Sequence, residues 1–305
     1  MEFSNFTTLV REEVEKRAGQ KYTVRISDVR KNNGVVLSGL TVMRDDSNIS
    51  PTIYLNNYYE AYEDGRTTLS NVVNDVMDSY NRNKVNRSVD MRQFLNYENV
   101  KKGIVYKLVN TAQNTELLED VPHVEFLDLS VVFQYLIQNE NFGTASILIH
   151  NAHLKLWNVS VEELYQVADA NTQRLQGYEL QSMKDVICEL LETDRNSESN
   201  DVEGVEEHAD NVPMYVLSNK NRVGGAACIL YDGILADFAA AIGGSFYVIP
   251  SSIHEVLLLP ADNTDEKEEI KAMIKEINDT QVRTEEILSY SLYFFDREEG
   301  QLQKL

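Results

Sequence analysis

The residues best suited to acid–base chemistry are His254 and the two serines that precede it, Ser251 and Ser252. A histidine within reach of a hydroxyl can act as a general base. Glu255 follows directly, but neighbouring residues of a strand point to opposite faces, so it is not expected to orient the imidazole. Turn formation accounts for the serines equally well. We take Ser252 and His254 as the candidate catalytic residues, and whether the chain is an enzyme stays open.

A metal site would need several imidazole, thiolate or carboxylate ligands, and His150 and His153 are the closest pair of histidines. The alternation of residues 144–157 predicts a half-buried strand, in which residues three apart point to opposite faces. The two rings then cannot meet at one ion without a bulge or turn. Since no acidic or cysteine partner follows at ligand spacing, we predict no metal site and no cofactor.

A second group of ionisable side chains flanks Pro122. Its members are Glu119, Asp120, His123, Glu125 and Asp128. Two carboxylates and a histidine could hold a divalent metal or form an acid–base pair. Charge at the entrance to a strand is usually solvated, however, so we interpret this group as an exposed rim.

Four tyrosines, Tyr54, Tyr58, Tyr59 and Tyr62, lie in one short stretch. Tyrosine combines a large ring with a hydrogen-bonding tip and is enriched at interfaces. The alternative is that Tyr58 and Tyr62, four residues apart on a helix, pack on a sheet behind it. We predict that the four tyrosines form a binding surface for a protein partner.

Charge and missing motifs exclude several function classes. The chain has 28 Lys and Arg against 49 Asp and Glu, a net charge of −21. Such a surface repels nucleic acids and anionic membranes, so neither is expected as a partner. We expect the acidic surface to aid solubility or to attract a basic protein partner. A nucleic-acid role would need a basic face, built from residues such as Arg82, Lys84, Arg87 and Arg92. The sequence also lacks the phosphate-loop, dinucleotide-binding, zinc-protease and nucleophile-elbow motifs.

The sequence predicts a cytoplasmic protein. Its first sixteen residues are amphipathic and acidic, unlike a signal peptide. No apolar run approaches the roughly 20 residues that cross a bilayer. Cys188 and Cys228 do not form a Cys-x-x-Cys pair, and we expect both to be buried, reduced thiols.

Amphipathic helices and hairpins must position these residues. Apolar residues recur at helical spacing in residues 3–14 and again in residues 69–80. An Asn-Gly turn predicts a hairpin of residues 22–29 and 35–43. The other predicted elements are a hairpin of residues 246–249 and 255–259, strands at 226–231 and 292–295, and helices at 180–192, 235–242 and 266–277.

Hairpins outnumber strand–helix–strand units in this pattern. We therefore predict an α+β fold with mixed, largely antiparallel sheets and packed amphipathic helices. The polar segment 81–86 predicts a boundary between an N-terminal α+β subdomain, residues 1–86, and a C-terminal α+β domain, residues 87–305. Residues 193–210 are acidic and poor in apolar side chains, which indicates an exposed loop.

Four sequence segments resemble a known family. They are residues 122–130, 149–157, 212–220 and 249–256. They are similar to proteins of gut Firmicutes grouped as the domain of unknown function numbered 5688, and the resemblance covers nearly the whole chain. It implies a bacterial cytoplasmic protein and lends no catalytic residue, because the family has no assigned activity. Residues 145–260 are also similar in layout to the YtpQ-like bacterial proteins, through their strand–helix–helix–strand order.

Two functions from different classes follow from these observations. The first is a cytoplasmic, non-catalytic protein-interaction module that docks a partner on the tyrosines. The alternative is a small-molecule-binding protein or a hydrolase-like enzyme with a pocket near Ser251 to His254. We favour the first hypothesis because it fits the charge, the missing motifs and the tyrosine cluster.

Overall fold

The computed structural model describes residues 1–84, 91–139, 143–188, 213–261 and 267–305. The chain divides into two compact units. The first comprises Met1–Asn96 and Ile137–Ala145, and the second comprises Tyr97–Leu136 and Ser146–Leu305. The predicted boundary between residues 86 and 87 and the predicted acidic loop at 193–210 lie outside the described residues, so both stay predictions.

The first unit is built on a three-stranded antiparallel sheet with strand order β1-β2-β3. Its main elements are α1 (Phe3–Ala18), β1 (Tyr22–Arg30), β2 (Val36–Arg44), β3 (Thr52–Tyr54), α2 (Asn56–Glu63) and α3 (Leu69–Asn83). Strands β1 and β2 pair from Tyr22 opposite Arg44 to Arg30 opposite Val36. Asn33 and Gly34 have positive φ angles of 58° and 70° in the connecting turn, so the Asn-Gly hairpin is confirmed.

The core of the first unit lies between this sheet and helices α1 and α3. The predicted apolar stripe on α3 is confirmed, because its side chains at spacings of three and four are buried. Each large apolar side chain buried here contributes roughly 1.5–3 kcal/mol. The core residues are Phe6, Val10 and Val14 of α1, Val72, Val73 and Val76 of α3, and Val24, Leu40, Val42 and Ile53 of the strands.

The second unit contains most of the remaining strands, which form two further antiparallel sheets. One contains β4 (Ile104–Asn110), β5 (His123–Phe126), β6 (Leu129–Asn139) and β7 (Gly143–Leu148), with order β4-β6-β5 and with β7 paired to β6. The other has the order β13-β12-β10-β11-β9-β8. Its strands are β8 (Glu179–Ser182), β9 (Tyr215–Ser218), β10 (Phe246–Ser252), β11 (Glu255–Pro260), β12 (Tyr293–Asp296) and β13 (Gln301–Lys304).

Helices accompany these sheets, and the predicted α+β class with antiparallel sheets is confirmed. They are α4 (Tyr97–Val100), α5 (Thr115–Asp120), α6 (Asn151–Trp157), α7 (Val161–Gln176), α8 (residues 183–188, to the edge of the described segment), α9 (Ile234–Ile242) and α10 (Lys267–Thr280). The predicted hairpin of β10 and β11 is confirmed, as are the helices at α9 and α10.

The prediction of one strand over residues 144–157 was wrong. Strand β7 ends at Leu148, and α6 begins at Asn151. The reason is a cap at the start of α6, in which the His150 amide donates to His153 Nδ1 at 2.9 Å and the His153 amide donates to the His150 carbonyl oxygen at 2.9 Å. Asn158 ends the helix in the left-handed conformation, with φ 55°.

Two other predicted elements differ from the structure. Residues 226–231 were predicted as a strand, but Gly225–Leu230 forms a 3-10 helix. A Cβ at Gly225 would collide with Ser218 Oγ and the His254 carbonyl oxygen, so the chain turns tightly there. The predicted helix at residues 180–192 begins as β8 instead, and helix α8 starts only after Ser182, whose hydroxyl accepts from the Asp185 amide at 3.1 Å.

An irregular segment, residues 287–292, is buried except at Tyr290 and Ser291 and runs from a 3-10 turn into β12. It has no ladder to satisfy its polar groups, so side chains supply the partners. The amides of Asn110 and Asn278 donate to the carbonyls of Leu288 and Ser289, each at 3.0 Å. Both asparagines are buried, which makes these bonds hard to replace with water.

Asp128, in the turn between β5 and β6, holds the same segment through its carboxylate. Its Oδ2 accepts from Ser289 Oγ at 2.7 Å and Ser291 Oγ at 2.8 Å, and its Oδ1 accepts from the Tyr293 hydroxyl at 2.7 Å. Burial by itself would raise the pKa of this carboxyl. The three hydroxyl bonds outweigh that effect and hold the pKa below its ordinary value. The prediction that Asp128 belongs to a solvated rim was wrong.

We expect Asp128→Ala to destabilise the protein by about 3 kcal/mol, because it leaves buried hydroxyls without an acceptor. Glu125→Ala is the matched control, since Glu125 is exposed on the same hairpin. It should change stability by less than about 0.5 kcal/mol. Urea unfolding at pH 7 measures both, and equal stability of the two variants would contradict the role of Asp128.

Candidate functional site

A groove of about 630 Å³ lies in the first unit beside β3. One wall is the strand itself, residues 51–54, and the helices contribute Asn57, Tyr58, Ser79 and Asn83. Thus the lining carries hydroxyl, amide and aromatic groups but no ionisable acid or base other than tyrosine. Such a lining can bind a neutral chain by hydrogen bonds and ring contacts.

Some backbone amides and carbonyls of β3 face away from the neighbouring strand β2. In an antiparallel pair, every second residue points its amide and carbonyl at the partner strand. The Leu55 amide donates to the Ser38 carbonyl at 2.9 Å, which fixes this alternation. Ile53, opposite Leu40, therefore faces β2, while the amides and carbonyls of Thr52 and Tyr54 face outward. In the described part of the chain, no strand pairs with β3 on that side.

The structure divides the four predicted binding tyrosines into two pairs. Tyr54 and Tyr58 line the groove. Tyr59 and Tyr62 instead pack against α1, with ring centroids 5.3 and 5.4 Å from that of Phe6. Tyr59 also donates to the Met1 carbonyl at 2.6 Å. The groove pair is available to a ligand, and the other pair contributes to the core.

Charged side chains flank the groove without lining it. The Lys31 ammonium lies 4.1 Å from the ring centroid of Tyr54, a cation–π contact. Burial raises the pKa of the Tyr58 hydroxyl, Asp75 adds to the rise, and Arg82 opposes it. The phenol therefore stays protonated at neutral pH and can donate a hydrogen bond.

The negative charge of the chain is unevenly distributed. Residues 1–84 contain 11 Lys and Arg and 12 Asp and Glu, a net charge of −1. Residues 85–305 therefore carry −20 of the total −21. The groove lies in the nearly neutral part, so an anionic ligand meets little local repulsion there.

His254 and Ser252 lie in the turn between β10 and β11. The Gly224 amide donates to His254 Nδ1 at 3.2 Å, so the neutral ring carries its proton on Nε2. That nitrogen is 4.0 Å from Glu286 Oε1. Ser252 Oγ accepts from the His254 amide at 3.0 Å. Because Nδ1, the one basic nitrogen of this tautomer, already accepts from the Gly224 amide, the arrangement favours a turn-stabilising role over general-base catalysis.

His150 and His153 form a cap rather than a ligand set. His150 Nδ1 contacts Asp120 Oδ2 at 2.7 Å, and the His150 amide donates to His153 Nδ1 at 2.9 Å. The His153 ring stacks on Trp157 with centroids 5.6 Å apart. Across the described residues, no group of three or more His, Cys, Asp or Glu side chains could hold a metal ion.

Sequence reasoning missed one carboxyl group whose pKa is raised. The Tyr106 hydroxyl of β4 donates to Asp169 Oδ1 of α7 at 3.2 Å. Burial raises the pKa of Asp169, the Tyr106 bond lowers it, and nearby Asp232 raises it further. Tyr165 and Asp169 are four residues apart on α7, which is visible in the sequence. The approach of Tyr106 and Asp232 depends on the fold.

Comparison with protein families gives one match. The model of the Family of unknown function (DUF5688) matches residues 3–297. The chain belongs to this family. Searches of curated proteins and of solved structures each found no match. The groove, the His254 turn and the Asp128 network of this DUF5688 chain all lie within the matched residues. No helix in the described segments is long and apolar enough to cross a membrane.

The cap of α6 predicts a pH-dependent stability. Burial lowers the pKa of His153, and His150 lowers it further. The unfolded chain therefore takes up the proton first, so this stabilisation is complete above the unfolded pKa of about 6.5 and is lost as the pH falls through the lower folded pKa. Protonated Nδ1 can no longer accept from the His150 amide.

We expect His153→Asn to weaken this pH dependence, because the amide oxygen can accept from His150 at any pH. His123→Asn removes a histidine elsewhere in the unit and should leave the dependence intact. Urea unfolding at pH 8, 7, 6 and 5 gives the comparison. A slope in His153→Asn as steep as in the wild type would contradict the role of the cap.

Proposed function

We propose that the chain is a non-catalytic protein-interaction module that binds an extended segment of a partner protein along β3. The main support for this proposal is that the backbone amides and carbonyls of Thr52 and Tyr54 face outward beside an open groove. An extended peptide can add a strand to such an edge, with main-chain bonds giving affinity and side-chain contacts giving specificity. The predicted tyrosine surface contributes Tyr54 and Tyr58 to this contact.

The energetics require both parts of the site. Thr52 and Tyr54 offer about four backbone hydrogen bonds. At about 1 kcal/mol each, these amount to about 4 kcal/mol, whereas micromolar binding needs about 8 kcal/mol. The remainder must come from side-chain burial against the two tyrosines and bonds to Asn57, Ser79 and Asn83. The groove therefore selects a segment that matches both the strand edge and its helical wall.

The alternative is a small-molecule-binding protein or a hydrolase-like enzyme near Ser251 to His254. It has less support, because the His254 ring is held by the Gly224 amide and the Ser252 hydroxyl serves the turn. The Asp169 carboxyl, with its raised pKa, is a better starting point for that alternative.

We also propose that the protein works in the cytoplasm. Cys188 and Cys228 are both free thiols, which a reducing compartment favours. Cys228 is buried as predicted, whereas Cys188 is exposed, so the prediction that Cys188 is buried was wrong.

The test uses a phage library of random nonapeptides selected on the immobilised protein. The affinity of an enriched peptide is then measured by calorimetry for two variants at one position. Thr52→Pro removes the outward amide without removing a bond to β2, and edge strands tolerate proline in that orientation. Thr52→Val keeps the amide and serves as the control.

We expect Thr52→Pro to weaken binding at least tenfold, which corresponds to about 1.4 kcal/mol. Thr52→Val should bind within about twofold of the wild type. Thermal unfolding of all three proteins confirms that each is folded. The proposal fails if no peptide is enriched, or if the enriched peptides bind Thr52→Pro and the wild type equally.

A further inference from the structure

Two cations beside the groove have no acidic partner in the described part of the chain. Lys31 is half-buried, and its ammonium contacts the Tyr54 ring rather than a carboxylate. Arg82 is exposed on α3, between the groove residues Ser79 and Asn83. Other cations of the described residues do form ion pairs, as Arg66 does with Asp64. Lys31 and Arg82 are therefore free to contact a ligand.

The cations lie near different parts of the groove. Lys31 lies over Tyr54, at the carboxyl end of β3. Arg82 follows Ser79 by one helical turn, and its field reaches the Tyr58 hydroxyl. The opposing charge that reaches Tyr58 is that of Asp75, also on α3. Among the charges that reach the two groove tyrosines, Lys31 and Arg82 are positive and Asp75 is negative.

The geometry points to an acidic partner: an extended segment with an uncharged core that lies along β3, and with Asp or Glu residues that contact Lys31 and Arg82. This inference rests on the proposed function, because the strand edge must first hold the segment. It also explains how the site operates in a chain of net charge −21, since residues 1–84 carry only −1 of it. Charge complementarity at such a rim sets specificity and association rate more than affinity.

The same nonapeptide library tests the inference. Sequences enriched on the wild type but not on Thr52→Pro are expected to contain more Asp and Glu than the unselected library. The double variant Lys31→Gln, Arg82→Gln should bind such a peptide about tenfold more weakly at low salt, because it loses two charge contacts at the rim of the groove. At 0.5 M NaCl the difference should shrink to about twofold, because salt screens exposed charges.

The control is the double variant Lys21→Gln, Arg25→Gln, which removes two exposed cations at the β1 side of the sheet. It has the same net charge as the test variant but leaves the groove unchanged, so it should lower the affinity less than twofold. Unfolding curves of both double variants should match that of the wild type, because neither pair of side chains is part of the core.

The outcomes separate the inference from the proposed function. If peptides depend on the Thr52 amide but show no acidic enrichment, the inference is overturned and strand addition stands. Equal weakening by the two double variants also overturns it, because the effect is then one of net charge. If no peptide depends on the Thr52 amide, the proposed function fails and the inference falls with it.

Discussion

The carboxylate of Asp128 is the constraint on which the second unit depends. It accepts hydrogen bonds from the hydroxyls of Ser289 and Ser291, in the irregular stretch before β12, and from the hydroxyl of Tyr293, the first residue of β12. Asn110 of β4 and Asn278 of α10 satisfy the carbonyls of the same stretch. A strand, a turn and a helix thus meet on one segment through polar contacts. Because these carbonyls and hydroxyls have protein partners, burying them carries little desolvation penalty.

The sequence correctly predicted those elements whose formation depends on residues close together in the chain. The stripe on α3, the Asn-Gly hairpin and the β10–β11 hairpin depend on neighbours a few residues away. Asp128 was misjudged because its hydroxyl partners are 161 to 165 residues distant in the sequence. The strand predicted over residues 144–157 failed for another reason. A short helix capped by His150 and His153 is too brief to show a helical period against the alternation of β7.

For the candidate site, too, the sequence predicted some residues but not how the fold arranges them. Composition alone pointed to the tyrosines, because four of them in one stretch is unusual. It could not show that only Tyr54 and Tyr58 line a groove, since that depends on how α2 lies between β3 and α1. The sequence also could not show that the Thr52 amide faces away from β2. The Leu55 amide bonds to the Ser38 carbonyl, and this bond determines which residues of β3 face β2. Thr52 is one of those whose amide faces away.

A free strand edge is also a hazard, and β3 has features that limit it. It is three residues long and is preceded by Pro51, which restricts pairing to a short stretch. Protection alone would not require a groove of about 630 Å³ with an uncharged lining. Lys31 and Arg82 can both protect the strand edge from self-pairing and select the partner segment. Two copies that paired through their β3 edges would bring like charges together, whereas an acidic segment meets opposite charges. The same cations therefore oppose self-association and favour the proposed partner.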